Sequence, residues 1–154
     1  MNYETNTLLI KHPGLTEVLS MILLQAKTSK SYIKLRGWEN LTLSQIWDLG
    51  KKNLIYKNDK NGVEQLQSVG TLFENNIHGI SGAGDCDCFV IFTLALIFCS
   101  NKIEKSKTFI YLQGNKRDEP SHVLVKCEDT FIDFTERTVN TIRKYNFYDE
   151  IKVR

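Results

Sequence analysis

The sequence predicts an α+β protein in which helices come first along the chain and strands follow. Apolar residues from Val18 to Ala26 recur at helical spacing, and a second apolar run extends from Phe89 to Phe98. The last third is instead rich in β-branched and aromatic residues separated by polar turns. This order favours helices packed on one face or end of an antiparallel sheet.

One domain spanning residues 1–154 is the expectation from length and composition. A chain of 154 residues with 42% hydrophobic content can bury roughly 70% of its unfolded surface in one core and is too short for two ordinary domains. Its net charge of +2 gives no broad electrostatic reason to expect a nucleic acid or a membrane as a partner.

The first part of the chain contains the signals of two helices. Residues 1–13 predict an irregular lead-in, after which a helix is expected to start near Thr16. The basic and aromatic stretch 27–38 is predicted to be a solvated connector, because no RNA-binding motif accompanies it. Thr42 or Ser44 is suited to cap the second helix.

The middle of the chain leads into a third helix. Residues 58–62 predict a polar turn and residues 63–80 show only weak periodicity, whereas the glycine-rich stretch 79–84 can turn tightly. From Asp85 a strongly apolar helix is expected, ending near Cys99. Its apolar run has about half the length needed to span a bilayer, so it predicts a buried core helix.

Strand composition marks the C-terminal third. Residues 108–112, 123–127 and 130–134 are predicted strands separated by polar turns, and residues 145–153 are a candidate for a further strand. These strands are expected to form the antiparallel sheet on which the helices pack.

Cys86 is the first candidate for chemistry, because it lies in the first turn of the apolar helix. Unpaired N–H groups and the positive end of a helix stabilise a thiolate, which is the nucleophilic form of cysteine. A cysteine beside an apolar helix can also be a small buried hydrophobe. The flanking glycines and aspartates favour a functional thiol, and the lack of a secretory signal favours free thiols in a reducing compartment.

His122 and Asp133 are the candidates to act on that thiol. His122 opens a predicted strand, and a chain reversal at Cys127-Glu128 would bring it directly opposite Asp133 on the same face of the sheet. The aspartate would then accept from one ring nitrogen while the other faces the thiol. This is the nucleophile, base and orienting residue that acyl transfer requires. Taken singly, each residue also has an ordinary structural explanation.

A zinc site is the competing interpretation, because four cysteines (Cys86, Cys88, Cys99 and Cys127) and three histidines offer soft ligands. Cys86 and Cys99 are 13 residues apart on one predicted helix, which separates them by roughly 20 Å. No pair of cysteines has the two-residue spacing typical of zinc sites. We therefore expect no metal and no other cofactor.

The same residues resemble the transglutaminase-like superfamily. Its short bacterial and phage members carry a G-x-GDCDD-like helix start, then an H-V strand and a D-P-T or D-x-T strand. The matching stretches are Gly82–Asp87, His122-Val123 and Asp133–Thr135. Residues 55–68 also resemble the Y-x-x-D and E-x-L-x-S-P segment of phage-borne members, so that the resemblance covers about residues 44–135.

The resemblance implies a papain-like fold and a Cys86, His122 and Asp133 triad that acts on amide bonds through a thioacyl intermediate. Peptides, proteins or peptidoglycan are the implied substrates, because the family includes peptidases, amidases and transamidases. Two residues depart from the family pattern: Cys88 stands where a second aspartate is common, and Phe134 replaces the usual proline.

An oxyanion stabiliser is also needed, and the backbone N–H of Cys86 at the helix start is one natural donor. Tyr56 is the candidate for the second donor, since aromatic or amide residues upstream of the cysteine have this role in the family. A packed aromatic is the alternative interpretation of Tyr56.

A second class of function is a phage virion or assembly protein that retains the fold and acts by binding to other phage structural proteins. An intact triad favours the enzyme, whereas the small size without an appended binding module leaves room for the second class. Either function implies a location in the cytoplasm of a bacterial host or on the virion.

Overall fold

A computed structural model describes residues 2–11, 14–59, 63–116 and 119–153, and for residues 9–11 and 63 the backbone alone. Its architecture is α+β, as the sequence predicts. The helices are α1 (Leu15–Thr28), α2 (Lys30–Leu35), α3 (Leu43–Asn53), α4 (Val69–Glu74) and α5 (Cys86–Phe98). The strands are β1 (Thr7–Lys11), β2 (Ile55–Tyr56), β3 (Val63–Gln67), β4 (Ala83–Gly84), β5 (Thr108–Gly114), β6 (His122–Cys127), β7 (Thr130–Ile132) and β8 (Phe147–Lys152).

The C-terminal strands form one antiparallel sheet in the order β7-β6-β5-β8, and this confirms the predicted strands. Two small sheets lie upstream of it. In one, β1 pairs with β3 in antiparallel orientation, and in the other β2 pairs with β4 in parallel orientation.

Helix α5 is the centre of the core. Every residue from Asp87 to Ile97 is buried, which agrees with an apolar surface on all sides of the helix. α5 packs against β6 of the main sheet and against α1. Within the described ranges, no helix combines the length and the apolar character needed to cross a membrane.

Helices α1 and α3 confirm the helices predicted in the first part of the chain. Thr42 caps α3 through a reciprocal pair of hydrogen bonds with Gln45: its hydroxyl accepts from the Gln45 backbone N–H at 3.2 Å, and the Gln45 side chain accepts from the Thr42 backbone N–H at 2.9 Å. This arrangement satisfies two N–H groups that the helix start would leave unpaired.

Two predictions for the upstream half are wrong. The lead-in predicted as irregular contains β1, whose partner strand β3 lies more than fifty residues further along the chain. The predicted connector contains α2, in which Tyr32 and Ile33 are fully buried while the neighbouring lysines remain at the surface. The stretch 63–80, whose periodicity is too weak to predict an element, contains β3 and α4. Each of these short elements depends on distant partners rather than on its own pattern.

Phe134, which departs from the family pattern, packs into the core beside the predicted site. Its ring stacks on Trp47 of α3 with centroids 5.2 Å apart and lies edge-on to Phe92 of α5 at 5.8 Å. A Cβ atom added to Gly50 would lie 2.2 Å from the Phe134 ring. Because α3 approaches so closely, Phe134 anchors the segment that carries Asp133.

Candidate active site

The loop before α5 brings Cys86 to the first position of that helix. Gly79 and Gly82 adopt positive φ angles of 72° and 83°, which glycine reaches without a steric penalty. The Asp85 carboxylate then caps the helix, accepting hydrogen bonds from the backbone N–H groups of Asp87 at 3.2 Å and Cys88 at 3.4 Å. The predicted helix start at this cysteine is confirmed.

The environment of Cys86 corrects one expectation about its thiol. Burial raises the pKa of Cys86 well above its ordinary value, and the Asp87 and Asp85 carboxylates raise it further, while the Val123 backbone N–H opposes them by bonding to the sulfur. A helix N-terminus stabilises a negative charge by about 0.3–1 kcal/mol at exposed sites, which is less than one pKa unit. Burial therefore opposes the effect of the helix end and favours the neutral thiol.

His122 and Asp133 form a buried hydrogen-bonded pair. The His122 Nε2 atom and the Asp133 Oδ2 atom are 2.6 Å apart, and the two residues are only 5% and 3% exposed. Because the aspartate binds Nε2, the ring nitrogen left to exchange a proton with a thiol is Nδ1. The predicted proximity of these two residues is present in the structure.

The register of the β6–β7 hairpin differs from the predicted one by two residues. Cys127 pairs with Thr130 across a turn in which Glu128 and Asp129 have φ angles of 50° and 66°, as in tight two-residue hairpin turns. Val125 therefore faces Ile132, and Asp133 is diagonal to His122 rather than directly opposite. A two-residue shift leaves every side chain on the same face of the sheet, so the pair still meets.

Asp133 is held by more donors than the histidine alone. Its Oδ1 atom accepts hydrogen bonds from the backbone N–H of Thr135 at 3.0 Å and from the Thr135 hydroxyl at 2.6 Å. Burial by itself would raise the pKa of Asp133, but the hydrogen bonds from His122 and Thr135 outweigh it and lower the pKa below its ordinary value. Asp133 is therefore an ionised carboxylate that can stabilise a positive charge on His122.

Residues near position 143 support this pair, and sequence reasoning missed them. Arg143 donates to the Thr135 hydroxyl at 2.8 Å, and the Gln113 side chain donates to the Arg143 carbonyl at 2.7 Å. The Tyr145 ring lies nearly parallel to the His122 ring, with centroids 6.3 Å apart. No local pattern marks these residues, because their contacts follow from the return of the chain into β8.

Tyr56 lies close to the cysteine because β2 runs parallel to β4, which pairs Tyr56 with Gly84. Its ring lies edge-on to Phe89 with centroids 6.0 Å apart, yet half of the residue is exposed. Burial raises the pKa of Tyr56, so its hydroxyl stays protonated and can donate a hydrogen bond. The Tyr56 side chain can thus pack against Phe89 and also donate a hydrogen bond through its hydroxyl.

A cavity of about 400 Å³ brings three of the four predicted site residues together. Cys86, His122 and Tyr56 all line it, while Asp133 is not among its lining residues. Three carboxylic acids also line the cavity, namely Glu64, Asp85 and Asp87. A space of this size can accommodate part of a substrate next to the thiol.

The acidic residues form a cluster that sequence reasoning missed. We define the acidic cluster as Asp59, Glu64, Asp85 and Asp87. Asp59, Glu64 and Asp85 each have a carboxyl oxygen within 4.8 Å of the other two. Burial and these neighbours raise the pKa of Asp85 to about 8 and raise the pKa of Asp87 well above its usual range. Glu64 on β3 and Asp59 precede α5 by more than twenty residues, so their spacing alone gave no signal.

The cysteines do not form the ligand set that a zinc site would need. Among the described residues, the ligand atoms close enough to hold a metal ion belong to Asp59, Glu64 and Asp85. Cys88, which replaces an aspartate of the family pattern, is fully buried and donates to the Gln65 carbonyl at 3.2 Å. Cys88 is thus a packed, hydrogen-bonded thiol.

Comparisons with protein-family models, with curated proteins and with solved structures find no match for this chain.

Proposed function

We propose that this protein is a cysteine-dependent amide hydrolase or acyl transferase with a papain-like, transglutaminase-like fold. Cys86 is the nucleophile, His122 is the base and Asp133 orients the base. The observation that carries the proposal is the buried 2.6 Å pair of His122 and Asp133 beside a cysteine that begins a helix. Cys86 and His122 line the same cavity, so a substrate carbonyl there can meet both groups.

The reaction begins with a neutral thiol, because the pKa of Cys86 is raised. His122 takes the thiol proton as the sulfur attacks the carbonyl carbon of an amide, and the charge on the ring is balanced by Asp133. Collapse of the tetrahedral intermediate forms a thioester and breaks the C–N bond, and His122 returns the proton to the departing amine. Water then completes hydrolysis, or a second amine completes acyl transfer.

The negative charge that develops on the carbonyl oxygen requires donors. The backbone N–H of Cys86, at the first position of α5, and the Tyr56 hydroxyl are the proposed pair. Peptides, proteins or peptidoglycan supply the amide bonds that this chemistry would act on.

A binding role on a phage virion is the second candidate. The observation that favours it is the raised pKa of Cys86, because a thiol kept neutral by burial is less nucleophilic than a thiolate.

The first test measures whether the reactivity of Cys86 depends on His122 and needs no substrate. Native protein is treated with iodoacetamide at pH 7.5, and labelling of each cysteine is followed by peptide mass spectrometry. His122→Ala should slow labelling of Cys86 at least about tenfold, since a positioned base contributes 10²-fold or more. Labelling of Cys99, at the other end of α5, is the internal control and should not change.

The second test measures chemistry on amides. A glutaminyl peptide with hydroxylamine reports acyl transfer, and release of amino groups from purified peptidoglycan reports hydrolysis. Cys86→Ala and His122→Ala should each abolish activity, whereas the matched variant Cys99→Ala should retain it. Cys86 labelling that does not change in His122→Ala, or turnover that survives Cys86→Ala, would contradict the proposed enzyme and favour the binding role.

A further inference from the structure

Arg143 is connected to the His122 and Asp133 pair through the Thr135 hydroxyl. Its Nη2 atom donates to Thr135 Oγ1 at 2.8 Å, and that hydroxyl donates to Asp133 Oδ1 at 2.6 Å. The other carboxylate oxygen, Asp133 Oδ2, is 2.6 Å from Nε2 of His122. A single row of hydrogen bonds therefore runs from a positively charged side chain to the proposed base.

The donors determine the direction of the protons in this row. A guanidinium group can only donate, so the Thr135 oxygen accepts from Arg143 and its own hydrogen is left for Asp133. Hydrogen bonds in such a chain polarise one another, and those with an ionised partner are roughly twice as strong as neutral ones. The charge on Arg143 thus strengthens the bond from Thr135 to the carboxylate, and Oδ2 is the oxygen left for His122.

The segment that carries Arg143 is anchored to the main sheet. Gln113 of β5 is only 3% exposed and pairs with His122 in the β5–β6 register. Its side chain donates to the Arg143 carbonyl at 2.7 Å. Two residues further along, the Tyr145 ring lies nearly parallel to the His122 ring with centroids 6.3 Å apart. These contacts hold the backbone of Arg143 beside the proposed base.

A surface ion pair is the ordinary explanation of an arginine at this position. Arg143 Nε lies 3.8 Å from Glu136 Oε1, and 42% of the arginine side chain is exposed. Exposed pairs of this kind contribute little to stability. The bond to Thr135, at 2.8 Å, is much the shorter contact. The geometry therefore favours the contact that leads to Asp133 over the one that leads to Glu136.

We propose that Arg143 is a positioning residue that acts on His122 through Thr135 and Asp133. Because the carboxylate is held against Nε2, the proton of the neutral ring stays on that nitrogen, and Nδ1 is free to take the thiol proton. The catalytic part of this role rests on the proposed function, whereas the tautomer of His122 can be measured in the resting protein.

NMR of protein labelled with ¹⁵N-histidine reports the tautomer directly. At pH 8.5 the ring nitrogens of His122 should give well-separated signals, typical of a protonated Nε2 and an unprotonated Nδ1, and comparison with His122→Ala assigns them. Arg143→Ala and Thr135→Val should each bring the two signals closer together, because both tautomers become populated. Arg143→Lys retains a charged donor and should restore most of the separation. Glu136→Gln removes the other partner of Arg143 and should leave the wild-type spectrum.

Labelling of Cys86 by iodoacetamide at pH 7.5 extends the comparison to reactivity. Arg143→Ala and Thr135→Val should each slow labelling about three- to tenfold, the value of one neutral hydrogen bond. The double variant should be no slower than the slower single variant, because the two residues act in series. Both positions are at least partly exposed, so the variants should fold. Arg137→Ala changes an exposed arginine of the same segment and should label like the wild type.

Two outcomes would overturn the proposal. An unchanged His122 spectrum in Arg143→Ala would show that the ring is held without the arginine. Losses that multiply in the double variant would show that Arg143 acts by a route other than Thr135. If the spectra change as expected while labelling of Cys86 does not depend on His122, the positioning role stands and the proposed catalysis fails.

Discussion

Two buried aspartates, one beside the main sheet and one at the start of α5, differ in the sign of their pKa shift. Asp133, on the sheet side, is 3% exposed and has a lowered pKa, whereas Asp85, on the helix side, is 9% exposed and has a pKa raised to about 8. Similar burial thus accompanies opposite charge states. Burial alone does not decide the protonation of a carboxyl group.

The difference lies in the donors around each carboxylate. Asp133 receives hydrogen bonds on both oxygens, from His122 on one and from Thr135 on the other. Asp85 receives backbone N–H groups on its Oδ1 atom and faces the Asp59 carboxyl group as well. The surroundings of Asp133 therefore stabilise a negative charge, whereas those of Asp85 favour the protonated carboxyl group.

The largest effect is expected from Asp133→Asn on turnover, if amide chemistry is found. The amide group would donate to Nε2 of His122 and force the wrong tautomer, so that Nδ1 cannot accept the thiol proton. Turnover should fall by about four orders of magnitude while the protein remains folded. Adding Asp133→Asn to His122→Ala should cost far less than the product of the single losses. Full activity in Asp133→Asn would show that this carboxylate does not orient the base.

The next prediction compares the effects of substitutions at Asp133 and at Asp87 on the free energy of unfolding. Asp133→Ala leaves the buried donors of His122 and Thr135 without their acceptor and should lower the free energy of unfolding by about 2–3 kcal/mol. Asp87→Asn should leave the free energy of unfolding unchanged or raise it by up to about 1 kcal/mol, because its amide can donate to Glu64. Urea unfolding at pH 7.5 measures both. A large loss in Asp87→Asn would contradict the contrast.

Glycines against which other residues pack closely offer a test that changes no polar group. A Cβ atom at Gly50 would lie 2.2 Å from the Phe134 ring on the sheet side, and one at Gly84 would lie 2.7 Å from Cys88 Cβ on the helix side. Gly50→Ala and Gly84→Ala should each lower the free energy of unfolding by about 1–3 kcal/mol through overpacking. Gly14→Ala has no atom within 4 Å of the added Cβ and is the matched control, expected to stay within about 0.5 kcal/mol of the wild type.

The last prediction concerns the slope of stability against pH, which has opposite signs for Asp85 and Asp133. The pKa of Asp85 is raised from 3.8 to about 8, so between these values the folded state holds a proton that the unfolded state has lost. The free energy of unfolding should therefore fall as pH rises through this window, by at most about 1.4 kcal/mol per pH unit. The pKa of Asp133 is lowered below 3.8, so its contribution is present above that pH and is lost as pH falls through the folded value.

Urea unfolding of the wild type, Asp85→Asn and Asp133→Asn from about pH 3 to pH 8 measures these slopes. Asp85→Asn should flatten the neutral part of the profile, and Asp133→Asn should flatten the acid part. Three profiles of the same shape would mean that the donors do not control the charge on either side.

Local patterns predicted the parts of the site that depend on neighbours in sequence. Glycines, a capping aspartate and an apolar run determine where α5 begins, so the location of Cys86 at its start could be read directly. Period-two alternation put His122 and Asp133 on one face of the hairpin. The turn through Glu128 and Asp129 lacks the usual glycine, so the exact register could not be predicted.

The sequence by itself determined the α+β class, the core helix, the C-terminal strands and the hairpin that carries His122 and Asp133, because local patterns indicate each of these elements. Only the tertiary structure decided that β1 pairs with β3, that Asp59 and Glu64 lie near Asp85, and that burial raises the pKa of the Cys86 thiol. Long-range pairing and loss of water depend on how the whole chain packs. The pKa of a buried group is set by that packing, and no local pattern contains it.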